Sequence, residues 1–389
     1  MSTRLIYISA YLIYKGVASR PATRFSSQPV NPFRRILAFP YGAVMALRNT
    51  LFDWGVLRRT HFDLPIVCIG NLSLGGTGKT PHTEYLVRLL HQWGLRVATL
   101  SRGYGRRTHG FRQVAACESA RECGDEPWQM QQSLGQAAQC YVCEDRVAGI
   151  RRLLAESAAS GEQPDVILLD DAFQHRYVAA GLYILLTDYA RLYADDYVIP
   201  AGRLREWRSG ARRADIIIVT KCPADISREE CQRVAHHLCP TPHQRIFFSS
   251  IAYGQLRPFL PENHNAQARP SCALALSGIA KAEPFVGEVR RRFAQVEELS
   301  FGDHHNFSDK DLAEIHRRAE SADCVVTTEK DAARLAALRG QLSPSLLGKL
   351  YVLPIHVEMR HQEHLSPSET FHQTIYNYVT SHSGNRCVD

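Results

Sequence analysis

Residues 65–80 read PIVCIGNLSLGGTGKT. The apolar, β-branched run Pro65–Gly70 predicts a short buried strand. Gly75-Gly76-Thr77-Gly78-Lys79-Thr80 follows it and leads into a helical pattern over Lys79–Trp93. Strand, glycine-rich loop and helix, in that order, are the context a phosphate-binding loop requires. The glycines let backbone N–H groups approach phosphate oxygens, and the helix N-terminus favours negative charge. In such a loop Lys79 reaches the β and γ phosphates, and Thr80 offers a hydroxyl to Mg²⁺. The candidate nucleotide-binding set is therefore Ser73, Leu74, Gly75, Gly76, Thr77, Gly78, Lys79 and Thr80, with ATP and Mg²⁺ as the cofactors. The strict loop pattern asks for glycine where this chain has Ser73, and the pair Gly75-Gly76 softens that departure. A glycine-rich turn that binds nothing is the plain alternative, but GTGKT placed after a strand is a specific signal.

Outward from this loop the chain alternates strand and helix. Arg96–Leu100, Gln139–Val142, Asp165–Leu169, Leu182–Thr187 and Asp215–Thr220 read as further strands, with a helix near Asp145–Ala159. Continuous β-branched runs between helices indicate a parallel sheet covered on both faces. Residues 256–270 are rich in proline and polar side chains and read as a linker. Alternation resumes with Cys272–Leu276, a helix from Glu283, Val296–Ser300, a helix from Asp309, Cys324–Thr327, a helix from Lys330 and Leu350–Ile355. The predicted fold class is α/β: a P-loop NTPase-type parallel sheet core with a second, smaller α/β lobe. The predicted divisions are a leader at 1–32, an amphipathic helix at 33–60, the P-loop core at 61–255 and the smaller lobe at 271–380. The polar tail Ser381–Asp389 is expected to fray.

The composition of the 389 residues is that of a globular protein, with 45% hydrophobic and 22% charged residues. A net charge of +7 suits an anionic partner without choosing one. Nucleic acid would rest on that charge alone and is not expected. The 11 cysteines are odd in number and scattered, several within apolar runs, as in a reducing compartment. The lone Cys140–Cys143 pair has no second pair nearby for a metal site. Near the start, the apolar stretch Leu5–Tyr14 is too short to span a bilayer, and no convincing cleavage site follows it.

Residues 33–57 are mostly apolar, with Arg34, Arg35 and Arg48 among them and Arg58 and Arg59 just after; Pro40 is expected to break or kink the helix. Phe, Leu and Trp on one side with basic flanks suit a helix lying in a membrane interface. Packing on the protein's own core is the alternative.

Five polar clusters stand out. Asp170 and Asp171 follow the apolar strand DVILL, where an acidic metal partner belongs in an open α/β sheet. Ser101-Arg102-Gly103-Tyr104-Gly105 suggests a close approach to ligand. Gly124-Asp125-Glu126-Pro127 places two carboxylates before a helix, where acids also favour the first turn for its own sake. Pro200–Glu206 (PAGRLRE) carries two arginines suited to charge on a transferring phosphoryl group. In the second lobe Asp303-His304-His305 sets a carboxylate beside imidazoles, with no third ligand at metal spacing.

Taken together these stretches resemble the tetraacyldisaccharide 4'-kinase family, the lipid A kinases of Gram-negative bacteria. The matching segments are GNLSLGGTGKTPH (70–82), SRGYGRR (101–107), GDEP (124–127), DDAFQHR (170–176), PAGRLRE (200–206), RADIIIVTKCP (213–223), SGI (277–279), DHHNF (303–307) and TTEKDAARL (327–335), after LRNTLFDWG (47–55). They run in the family's order and span roughly residues 33–360. A Ser or Thr at position 73 is what the family tends to show; Ala172 departs from its more usual glycine. The resemblance implies ATP-dependent phosphorylation of the 4'-hydroxyl of a tetraacylated glucosamine disaccharide 1-phosphate, giving lipid IVA. It also implies Mg²⁺, a peripheral place on the cytoplasmic face of the inner membrane, and no known protein partner. By motif match, Asp125 deprotonates the sugar hydroxyl, supported by Asp303 and His304 from the other lobe. That arrangement would assemble only on closure. The resemblance leaves Lys79 and Arg205 at the phosphates, with Thr80, Asp170, Asp171 and Glu126 as metal-site candidates. Two rivals remain at this point: a P-loop kinase or ligase acting on a soluble small molecule, and a nucleotide-switched binding module. The second is weakened because Lys221 is followed by three residues before Asp225, the wrong spacing for a guanine-reading loop.

Overall fold

The computed structural model describes residues 32–117, 119–260, 271–303, 305, 307–361 and 369–382. The 1–32 leader expected from sequence, the Leu5–Tyr14 stretch, most of the linker and His304 lie outside the described residues. In chain order the main elements begin with α1 (Pro32–Asp53), β1 (Ile66–Asn71), α2 (Lys79–Gln92), β2 (Val97–Ser101), α3 (Asp125–Leu134), β3 (Gln139–Val142), α4 (Arg146–Ser160), β4 (Val166–Asp170), β5 (Leu182–Asp188) and β6 (Ile216–Thr220). They continue with α5 (Arg228–Leu238), β7 (Arg245–Tyr253), β8 (Cys272–Ser277), α6 (Glu283–Arg292), β9 (Gln295–Ser300), α7 (Asp309–Ser321), β10 (Cys324–Thr328), α8 (Glu329–Ala336), β11 (Leu350–Leu353), β12 (Ile355–Arg360) and α9 (Phe371–His382).

The chain forms two compact units. The first takes its described residues from Met1–Arg102, Gln136–Ile251 and Val357–Asp389. Its sheet runs β12-β7-β6-β5-β1-β4-β2-β3. From β7 to β3 all neighbours are parallel. Every residue of β1, β2, β4 and β6 is buried. That is why these strands are apolar throughout rather than alternating. β1 lies between β4 and β5, with Ile69 opposite Asp170, so the loops leaving β1 and β4 emerge side by side.

In the second unit, Gly103–Gly135 and Ala252–His356, the sheet runs β9-β8-β10-β11, all parallel, and Arg257–Pro258 pairs antiparallel with β11. Leu274 and Leu276 of β8 pack with Ile315 of α7. Ala273 and Ala275 pack with Phe285 and Val289 of α6. The period of two thus feeds both faces of the sheet. A capping box starts α7: Ser308 Oγ accepts from the Asp311 N–H, and the Asp311 carboxylate accepts from the Ser308 N–H.

The unit boundaries depart from the sequence divisions in two places. Gly103–Gly135, expected within the 61–255 core, belongs with the second unit because α3 packs against α8. Asp125 and Asp303 therefore share one unit, and the expectation of a base on one lobe with its partner on the other is corrected. Val357–Asp389, whose start was expected in the 271–380 lobe, belongs with the first unit. There α9 buries Phe371, Ile375 and Val379, and the Tyr378 hydroxyl donates to Ile66 O (3.0 Å) and accepts from Ile66 N (3.1 Å) on β1.

Helix α1 is unbroken at Pro40. Pro40 sits on its exposed side, so the bond it cannot donate is not lost inside a core. Ala38, Tyr41, Met45 and Phe52 face the first unit and are buried. Gly42 packs so tightly against Trp207 that a Cβ there would lie 2.6 Å from the indole ring. On the other side Phe33, Ile36, Leu37, Phe39, Val44 and Leu47 are exposed, followed by Trp54 and Val56. Spacings of three, four and seven gather Phe33, Ile36, Leu37, Val44 and Leu47 into one apolar stripe away from the packed residues. No helix among the described residues is long and apolar enough to cross a membrane.

Candidate functional site

The loop Gly75–Thr80 leaves β1 and opens α2 as the sequence predicts. Gly75 (φ +109°) and Gly78 (φ +84°) adopt backbone that only glycine takes without strain. Ser73 does not: it forms an isolated antiparallel bridge with Leu204, which is extended backbone open to any residue. The missing glycine of the strict motif is therefore not needed. Leu74 N donates to Arg203 O and Arg205 N to Leu72 O, both at 2.7 Å, so PAGRLRE is stitched to the start of the phosphate loop.

The loop is braced from below. Asn71 Nδ2 donates to Thr77 Oγ1 (2.7 Å), and Thr220 Oγ1 to Thr77 O (2.8 Å). Lys221 donates from Nζ to Gly76 O and pairs with Asp188 at 3.1 Å. His82, in the first turn of α2, is buried between Gly78 O (2.7 Å from Nδ1) and Ser249 Oγ (2.8 Å from Nε2). A carbonyl can only accept, so Nδ1 carries the hydrogen and Nε2 accepts from the serine. Burial holds the His82 imidazole down at about 4.

At the end of β4 the two adjacent acids separate. Asp170 is buried and accepts from Thr83 Oγ1 at 2.9 Å. Asp171 turns into the left-handed region (φ +46°), a strained conformation of the kind that collects at functional sites. Its carboxylate takes a fork from Arg205, Nη1 at 3.0 and 3.2 Å and Nη2 at 3.2 Å, and faces Lys79 Nζ at 3.7 Å. Burial alone would raise its pKa, but Arg205 and Lys79 outweigh it and hold the carboxyl well below the usual range. Lys79, Arg205, Asp171 and the loop, scattered over 130 residues of sequence, thus form one cluster.

Among the described residues no three His, Cys, Asp or Glu side chains gather as a ready-made metal site. That suits Mg²⁺ at a nucleotide, which relies on one or two protein ligands, water and phosphate oxygens. Thr80 at the loop's end and Asp170 on the neighbouring strand are both buried, whereas Asp171 is already engaged by Arg205 and Lys79. Glu126 is carried by the other unit.

In the second unit Asp125 is the first residue of α3, after Gly124 at φ +99°. Asp125 and Glu126 line a small pocket with Trp128, Gln129, Lys330 and Arg334 of the same unit. Asp303 is exposed in the turn after β9. The neighbouring His305 stacks on Phe301 at 4.7 Å and bonds Asp311 at 2.9 Å, which gives it a structural post. Sequence reading had missed Asn71, Thr220, Lys221, Gln174 and Glu206. Their signal was membership of the motifs already quoted, not their residue type.

A family model described as LpxK, tetraacyldisaccharide-1-P 4'-kinase, matches residues 31–370. The chain belongs to the tetraacyldisaccharide-1-P 4'-kinase family. It is 46% identical over 357 residues to the tetraacyldisaccharide 4'-kinase of Bacteroides fragilis, covering 89% of this chain and 92% of that one. It is 44% identical over 344 residues to the enzyme of that name from Flavobacterium johnsoniae, covering 87% and 97%. Among solved structures, LpxK from Aquifex aeolicus in complex with ATP superposes with a TM-score of 0.68 at 27% identity, covering 88% of this chain and 98% of that chain.

Proposed function

We propose that this LpxK-family protein transfers the γ-phosphoryl group of ATP to the 4'-hydroxyl of a tetraacylated glucosamine disaccharide 1-phosphate, working from a membrane surface. The observation that carries the reading is the phosphate loop with Lys79 beside the Asp171–Arg205 pair, in a chain matched by the family along nearly its whole length. Backbone N–H groups of 75–80 and the start of α2 bind the β and γ phosphates. Lys79 and Arg205 offset charge on the oxygens of the phosphoryl group in flight. Asp171 holds both cations in place. Thr80 and Asp170 would hold Mg²⁺, which would offset negative charge on the phosphates. The 4'-oxygen forms the new P–O bond, the bond from the γ phosphorus to the bridging oxygen breaks, and ADP leaves with that oxygen. Asp125 accepts the hydroxyl proton, with Asp303 and, by motif, His304 as its support.

The exposed stripe of α1 supports peripheral attachment to the inner membrane on its cytoplasmic face. A four-chain lipid has to be drawn from a bilayer, and a helix with aromatic and aliphatic side chains outward is suited to that surface. The soluble-substrate rival gives no reason for so many exposed large apolar side chains on and just after α1. The test is transfer of label from γ-labelled ATP with Mg²⁺ to the detergent-solubilised tetraacyl disaccharide 1-phosphate. Label on the lipid, lost with Asp125→Asn, bears the proposal out. Folded protein that releases only free phosphate would refute the acceptor.

A further inference from the structure

Glu206 closes the PAGRLRE motif, has no part in the chemistry above, and is 1% exposed. A buried carboxylate needs partners, and this one is saturated with them. Oε1 accepts from Arg213 Nη2 (2.8 Å) and Gln174 Nε2 (3.1 Å). Oε2 accepts from Asn49 Nδ2 (2.7 Å) and Arg213 Nη1 (2.9 Å). Each donor comes from a different segment: Asn49 from α1, Gln174 from the loop after β4, and Arg213 from the turn before β6.

Gln174 passes the constraint on. Its Nε2 also donates to Asn71 O at 2.9 Å, at the root of the phosphate loop. Two pure acceptors, a carboxylate and a carbonyl, fix which end of the amide is nitrogen. The oxygen end must then face Arg205, whose Nη1 donates to it at 3.3 Å while gripping Asp171. The Arg205 backbone is held from the same side, since Tyr41 of α1 donates from its hydroxyl to Arg205 O at 2.9 Å. The hydrogen bonds run without a gap from Asn49 through Glu206, Gln174 and Arg205 to Asp171, which forms an ion pair with Lys79 at 3.7 Å.

We propose that Glu206 is a positioning residue for phosphoryl transfer, orienting the Gln174 amide so that Arg205 is held at the phosphates, with α1 contributing Asn49 to the same anchor. This rests on the reading above that Arg205 acts on the transferring group. A neutral amide at 206 would disturb the anchor at either end, because both oxygens face an Arg213 N–H and an –NH₂ in either place meets a donor. A stabilising ion pair with Arg213 alone would account for the burial, but not for the link to Arg205, and the two are separable.

The experiment is a double-mutant cycle on kcat for lipid phosphorylation at saturating ATP and lipid, with Glu206→Gln, Arg205→Lys and both. Small misplacement of a catalytic group costs up to about a hundredfold, so Glu206→Gln is expected to lower kcat about tenfold to a hundredfold. Because it acts through Arg205, the double variant should equal Arg205→Lys within about twofold, the non-additivity of coupled sites. Losses that multiply, or a wild-type kcat in Glu206→Gln, overturn the proposal. If Arg205→Lys alone keeps full kcat, the assigned role of Arg205 fails, and the positioning proposal with it, while the kinase reading still stands on Lys79. If Glu206→Gln does not fold, Asn49→Ala removes one donor only. It is expected to lower kcat about threefold in the wild-type background and not at all in Arg205→Lys, again by coupling. An equal loss in both backgrounds overturns the proposal.

Discussion

At the residue scale the site is a set of cations around one carboxylate. Lys79 and Arg205 both face Asp171 from partly buried positions, and in the proposed reaction both act where negative charge gathers on the phosphates. Removing one well-placed electrostatic donor costs about a hundredfold to a thousandfold in kcat, so Lys79→Ala should cut label transfer by at least about a hundredfold. Near-normal turnover would mean that the loop does not bind the transferring phosphate. Asp125 starts a helix at an exposed position, which suits the proposed base. General-base assistance contributes about a hundredfold to ten-thousandfold, and Asp125→Asn should lose a factor in that range with ATP affinity intact. Asp303→Ala should lose less, given its proposed role as support for the base. A loss in ATP affinity instead of kcat would move Asp125 to nucleotide binding, and a larger loss at Asp303 would exchange the two roles. Residue type and spacing alone pointed to Lys79 and Thr80, because phosphate loops have few chemical solutions, whereas Asp125 was singled out as a base only by the family motif. Neither signal disclosed Glu206 or Gln174, whose importance comes only from what they touch across more than thirty residues of chain.

At the element scale, α1 has an apolar face packed on the first unit and a second set of apolar side chains that is exposed among the described residues. Tyr41, Met45 and Phe52 pack on the first unit, while Leu37 and Leu47 lie 50% and 60% exposed on the other side. Polar replacement there leaves the packed face alone and should preserve the fold. Burying a Leu side chain is worth about 1.5–3 kcal/mol, so Leu37→Asp with Leu47→Asp should weaken binding to anionic phospholipid vesicles at least tenfold by co-sedimentation. Unchanged vesicle binding would remove the helix from the membrane interface. The strands were legible because both faces of β1, β2, β4 and β6 are buried, which leaves an uninterrupted apolar run in the sequence. That α1 continues through Pro40 was not legible, since the lost donor and the clash with the carbonyl four residues back can either end a helix or be absorbed within it. Nor were α5 and β7 read, their polar outward residues obscuring a short apolar period. The assignment of α3 to the second unit was hidden as well, because α8, against which it packs, lies about two hundred residues later.

At the scale of the whole molecule, the first unit depends on a chain that leaves and returns twice, closed by Tyr378 of α9 on β1 and by His82 of α2 on Ser249 of β7. The His82 bridge gives the unit a pH dependence with a definite sign. The imidazole is 1% exposed and held at about 4 when folded, against about 6.5 in an unfolded chain. Between those values the unfolded state binds a proton that the folded state refuses, so stability falls as pH falls. From pH 7 to pH 5 this single group should cost about 2 kcal/mol, at roughly 1.4 kcal/mol for each unit through which only the unfolded state is protonated. Two units with separate cores do not unfold as one, so the measurement needs a reporter confined to the first. Trp54, Trp93 and Trp207 lie there and Trp128 in the other. A Trp128→Phe background therefore makes fluorescence report the first unit alone. Urea unfolding in that background, with and without His82→Gln, should show the variant less stable at pH 7 but with a drop to pH 5 smaller by about 2 kcal/mol. An equal drop in both proteins would show that His82 takes up its proton in the folded state, and that the bridge under the phosphate loop tolerates an imidazolium donating to both Gly78 and Ser249.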